Sequence, residues 1–83
     1  MTKNFLLGID IGTTNTKMIL IDTQGNICAS TSRTSTLMSP FIGWAEEDPA
    51  EWWRNVCELV PESLEQAKIS ATQIAGIAVS GMV

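Results

Sequence analysis

Histidine is missing from this 83-residue sequence, tyrosine is missing too, and only five residues are lysine or arginine. Without histidine, Ser-His-Asp and Cys-His nucleophile pairs and imidazole proton transfer are excluded from the segment. With so few basic residues, no basic run and a formal charge of −4, it has no footprint for nucleic acid or an anionic membrane, both of which require clustered cations. The longest apolar runs, such as Ile74 to Val79, fall far below the roughly 20 residues of a membrane span. Met1-Thr2-Lys3-Asn4 leads straight into a strand-like run, without the apolar segment and cleavage site of a signal peptide, so the cytoplasm is the expected compartment. The two cysteines, Cys28 and Cys57, lack metal-ligand spacing and are expected to be small buried hydrophobes.

What is present is globular: 45% of residues are apolar and 17% charged. A chain this short buries only about 60–65% of its unfolded surface, enough for a modest core but not for a closed two-sided active site. The terminal run from Ile74 to Val83 stops without turn or cap, so the natural polypeptide is expected to continue beyond it.

Phe5 to Ile11 is nearly continuous in apolar residues, the pattern of a strand covered on both faces. Gly12 to Asn15 and Thr23 to Asn26 carry turn chemistry, on either side of a β-branched run from Thr16 to Asp22. Ile27 to Ser35 alternates Ile27, Ala29 and Thr31 and reads as an outer strand, which completes an antiparallel meander. Thr36 to Glu47 is expected to be a loop. Asp48-Pro49-Ala50-Glu51 then opens a helix with an N-cap and a proline at the first helical position. Trp52, Trp53, Val56, Val60, Leu64 and Ala67 follow at helical spacing as the expected buried stripe, and Pro61 inside it is expected to kink the helix. Ser70 to Gln73 connects to a last strand, Ile74 to Ser80, which a right-handed crossover sets parallel to a strand of the meander. The order β-β-β-α-β is that of an α/β fold with a mixed sheet.

The chemistry lies in Asp10-Ile-Gly-Thr-Thr-Asn-Thr-Lys17. An aspartate ending an apolar strand needs a cation or hydrogen-bond donors. Gly12 permits a tight turn, successive N–H groups with the Thr13 and Thr14 hydroxyls form an anion-binding concavity, and Lys17 adds a point charge. Asp10 for Mg²⁺ and the turn for phosphate oxygens make a nucleotide triphosphate site. The spacing also fits an ordinary hairpin turn with a capping aspartate. It matches neither a P-loop nor a Gly-x-Gly-x-x-Gly fingerprint.

Gly8-Ile-Asp-Ile-Gly-Thr-Thr-Asn-Thr-Lys17 resembles the first phosphate motif of the actin-like ATPase superfamily, and the element order resembles its ribonuclease-H-like lobe. Gly43-Trp-Ala-Glu-Glu-Asp-Pro-Ala-Glu-Trp-Trp53 narrows this: it resembles a segment of the FGGY carbohydrate kinases. Ile74-Ala-Gly-Ile-Ala-Val-Ser80 resembles the strand leading to that family's first sugar-contacting loop. The resemblance implies that residues 1–83 are the N-terminal part of the first lobe, with the second lobe, the adenosine site and the catalytic base absent and the segment inactive alone. It implies ATP and Mg²⁺ as cofactors, with Asp10 beside the Mg²⁺–phosphate region, Gly12, Thr13 and Thr14 lining the β/γ-phosphate turn and Lys17 near the transferred phosphate. It also implies a sugar substrate, a pentulose first, and a homodimer of the longer protein as the expected assembly. Ser80-Gly81 fits the family's pattern, but Met82 stands where a glutamine is usual and offers only a thioether to the sugar. A non-kinase ATPase using the same turn is the alternative, and a small self-sufficient binding module a third.

Two sharper readings have plainer rivals. Trp44, Trp52 and Trp53 as a sugar-stacking platform competes with core packing of Trp52 and Trp53 and with Trp44 anchoring its loop onto the helix start. Glu46, Glu47 and Asp48 as a metal cluster competes with acidic capping of a helix N-terminus.

Overall fold

The computed structural model describes residues 4–12, 14–34, 37–38, 46–47 and 49–81. Strands β1 (Phe5–Ile11), β2 (Asn15–Asp22) and β3 (Ile27–Thr34) form the expected antiparallel meander. A two-residue ladder, β4 (Leu37–Met38) with β5 (Glu46–Glu47), interrupts the segment read as loop. Helix α1 (Pro49–Ala67) and a 3₁₀ turn (Ala71–Gln73) lead to β6 (Ile74–Gly81), which lies parallel to β1. The sheet order is β3-β2-β1-β6. The mixed sheet and its crossover therefore match the sequence reading.

Helix α1 packs on β2 and β3. Alternate residues Leu7, Ile9, Met18, Leu20 and Ala29 point toward it and, with Leu59, form the buried core. The other face has no covering layer among the described residues, and Leu6 and Ile19 are exposed there. The aliphatic run is expected to be covered on both faces; among the described residues a single packed helix supplies one side. On β6, Ile77 is 63% exposed because its partner strand β1 lies at the margin of the helix. Ile27 was expected on the same face as Ala29 and Thr31. A bulge at Cys28 pairs Ile27 with Ile21 instead, and the isoleucine ends 67% exposed.

Two further expectations are corrected in the helix. The buried line is Asn55, Leu59 and Ser63, flanked by partly buried Val56, Val60 and Leu64. Trp53 lies outside it, 69% exposed, because four-residue steps from Asn55 turn residue 53 away from the sheet. Cys57 is exposed for the same reason, and Cys28 is half-buried, so the cysteines are not a buried pair. Pro61 sits on the exposed side, and the helix continues through it without ending.

The helix closes with a Schellman arrangement. Lys68 adopts φ 58°, its N–H donates to Glu65 O at 3.1 Å, and the Ile69 N–H donates to Leu64 O at 3.1 Å. Leu64 and Ile69 both pack on the core, which fixes the direction of the chain into β6. The outer edge of β3 is partly protected by α1: the Ser30 N–H donates to Gln66 Oε1 at 2.7 Å. Arg33 reaches from the same strand to Glu58 and Glu62. Those carboxylates, Glu62 foremost, raise its guanidinium pKa further above its ordinary value.

Candidate functional site

Strand register assembles three polar side chains from three strands. Asp10 on β1 is the antiparallel partner of Lys17 on β2 and the parallel partner of Ser80 on β6. Cross-strand partners share a face, so the order across the sheet is Lys17, Asp10, Ser80, on the face opposite α1. The Ser80 hydroxyl donates to Asp10 Oδ1 at 3.0 Å. Asp10 and Lys17 are both exposed and form no ion pair among the described residues, which leaves both charges available to a ligand.

The turn after β1 sits beside this row. Its closure comes from the Gly12 N–H, which donates to Asn15 O at 2.8 Å. A Cβ on residue 12 would stand 3.2 Å from that same carbonyl, so a larger side chain would crowd the turn. Gly12 therefore shapes the loop, its own N–H engaged in closing it. Thr14 is exposed, and its Oγ1 accepts from Asn15 Nδ2 at 3.2 Å. That contact uses a lone pair and leaves the Thr14 O–H free to donate. Thr13 lies outside the described residues, as do Met82, Trp44 and Asp48 with its proposed cap.

A shallow cavity of about 380 Å³ opens beside the row, lined by Gly8, Asp10, Lys17, Ile19, Ala78 and Ser80. Its floor is low because Gly8 and Ala78 occupy adjacent register positions. A Cβ at Gly8 would stand 3.2 Å from Ile19 Cγ1, so larger side chains would crowd it. The cavity thus has one charged end and an apolar remainder.

Among the described residues, no group of three or more His, Cys, Asp or Glu side chains could hold a metal ion. Asp10 does fit a cation that takes most of its ligands from water and phosphate: it is exposed, and among the described residues one carboxylate oxygen is left after Ser80 occupies the other. Mg²⁺ bound through one carboxylate is a cation of that kind. Ser80 is the member of this row that sequence reasoning did not link to Asp10. No local signal could have linked them, because parallel register depends on how the crossover packs. Nor is any described helix long and apolar enough to cross a membrane.

Comparison with known proteins bears on this geometry. Residues 5–83 match the N-terminal domain of the FGGY family of carbohydrate kinases. A glycerol kinase from Francisella philomiragia subsp. philomiragia is 40% identical over 80 residues, which is 96% of this chain and 16% of that protein. The crystal structure of xylulose kinase from Rhodospirillum rubrum superposes with a TM-score of 0.86 at 42% identity, over 95% of this chain and 16% of the other. The gluconate kinase from Lactobacillus acidophilus gives a TM-score of 0.85 at 35% identity, over 95% of this chain and 15% of the other. The chain therefore spans only 15–16% of the length of these relatives.

Proposed function

This chain belongs to the FGGY family of carbohydrate kinases, whose solved members have the actin-like ATPase fold, and we propose that the whole protein phosphorylates a sugar or sugar-derived polyol with ATP. A pentulose is the first acceptor to test, on the strength of the likeness to a xylulose kinase, with glycerol and gluconate as the competing acceptors. In this reaction an acceptor hydroxyl oxygen forms a bond to the γ-phosphorus, the bond from that phosphorus to the β–γ bridging oxygen breaks, and ADP leaves. The hydroxyl proton passes to a base proposed to lie in a part of the whole protein outside residues 1–83.

The observation that carries the reading is the row of Lys17, Asp10 and Ser80 next to the glycine turn. Lys17, which forms no ion pair among the described residues, supplies positive charge for phosphate oxygens, and the hydroxyl of Thr14 supplies a donor. Thr13 belongs to the same turn and is proposed for the same role. Asp10 is the residue that would hold Mg²⁺ or its waters, and the ion when bound neutralises charge on the β- and γ-phosphate oxygens. Such transfers rest on positioning and charge stabilisation more than on covalent chemistry. Met82 is proposed to approach the acceptor, where its thioether would be a weak hydrogen-bond acceptor.

The test uses Asp10→Asn and Lys17→Ala in the whole protein. Each is expected to lower kcat about 100-fold, the scale of a lost electrostatic stabiliser, with acceptor KM changed by less than about threefold. Steady-state kinetics over pentuloses, glycerol and gluconate measure both quantities and rank the acceptors. A large rise in acceptor KM with kcat intact would remove the turn from the ATP site.

A further inference from the structure

Ser80 is held in place by the β1–β6 ladder, whose parallel pairing runs unbroken from Leu6 with Gly76 to Ile11 with Gly81. Its hydroxyl donates to Asp10 Oδ1 at 3.0 Å. From this geometry we infer that Ser80 is a positioning residue for Asp10: it occupies Oδ1, fixes the carboxylate plane and leaves Oδ2 to meet the nucleotide-bound cation. The inference rests on the reading of Asp10 given above.

An exposed aspartate on a strand samples several side-chain torsions, and its terminal torsion is broad. A cation that accepts one protein carboxylate and otherwise binds phosphate and water gains from finding that carboxylate already oriented. Lys17 does not orient it, since the two side chains form no ion pair among the described residues. Ser80 is the one described residue that hydrogen-bonds to the Asp10 side chain, at 3.0 Å. The serine sits on a strand rather than a loop, which gives the contact a rigid support. Both side chains are exposed, so losing the bond should affect orientation much more than folding.

The experiment compares Ser80→Ala, Ser80→Thr and Asp10→Asn in the whole protein. Readouts are kcat, acceptor KM, melting temperature and the Kd of Mn²⁺·ADP from titration calorimetry. Ser80→Ala should lower kcat about tenfold and weaken Mn²⁺·ADP about three- to tenfold, the range for one ordinary hydrogen bond. Acceptor KM and melting temperature should hold, and Ser80→Thr, which restores the hydroxyl, should recover both kcat and Mn²⁺·ADP affinity. If Ser80→Ala keeps wild-type kcat and Mn²⁺·ADP affinity while Asp10→Asn loses both, the positioning role is wrong and the Asp10 reading survives. If Asp10→Asn keeps them too, the underlying reading fails. A rise in acceptor KM alone in Ser80→Ala would make Ser80 an acceptor contact and overturn the inference.

Discussion

Asp22 closes the β2–β3 hairpin with both carboxylate oxygens. Oδ1 accepts from the backbone N–H of Gln24 and of Asn26, each at 2.9 Å, and Oδ2 accepts from Asn26 Nδ2 at 3.0 Å. Gly25 supplies the left-handed step of the turn at φ 86°. The hydrogen bond from the Asn26 backbone is the main cause holding the Asp22 pKa below its ordinary value of 3.8. A depressed folded-state pKa means that this stabilisation is fully present above the unfolded value and disappears as pH falls through the folded one. Asp22→Asn keeps a turn-forming side chain but removes the titration. The dependence of the urea midpoint on pH should therefore flatten below about pH 4 in the variant. Parallel curves for the two proteins would show that Asp22 has no part in acid sensitivity.

Helix α1 shows why its buried face was only partly legible. Apolar periodicity marks Val56, Val60 and Leu64, which do pack on the core, but the line that meets the sheet includes Asn55 and Ser63. A stripe read from hydrophobicity passes over such residues and admits Trp53 in their place. Ser63 is fully buried because its hydroxyl meets that of Thr31 at 2.8 Å across the helix–sheet interface. Ser63→Ala strands the buried Thr31 hydroxyl and should cost about 1–3 kcal/mol. Thr31→Val together with Ser63→Ala removes both partners, so the double variant should lose less than the sum of the single losses. Urea unfolding of the four proteins gives the coupling, expected above about 0.5 kcal/mol. Additivity would mean that the hydroxyls do not depend on one another.

At the scale of the whole molecule, one sheet face is packed and the other exposes Leu6 and Ile19, with Ile77 and Val79 exposed on the outer strand. Edge strand β6 also offers backbone groups for pairing. The 83 residues alone should therefore self-associate, with a sedimentation coefficient that rises with protein concentration. Phosphoryl transfer should be undetectable from them. Replacing Ile77 and Val79 with lysine should reduce the association, since charge on an edge opposes strand addition. A monodisperse monomer over the full concentration range would show that the exposed face is not adhesive.

By itself the sequence determined whatever depends on neighbours along the chain. The strand Phe5–Ile11, the last strand read over Ile74 to Ser80, the turn chemistry of Gly12 and Gly25 and the proline-started helix follow from local periodicity and backbone sterics. The motif Asp10 to Lys17 could be read as a phosphate turn for the same reason, because its members lie within one hairpin. Only the tertiary structure decided what depends on register and layering. The bulge at Cys28 turns Ile27 outward, the helix covers one face and not the other, and Asn55 and Ser63 are drawn inside by contact rather than by hydropathy. The bond from Ser80 to Asp10 joins residues 70 positions apart. Only the pairing of β6 with β1, which the crossover sets, brings them to hydrogen-bonding distance.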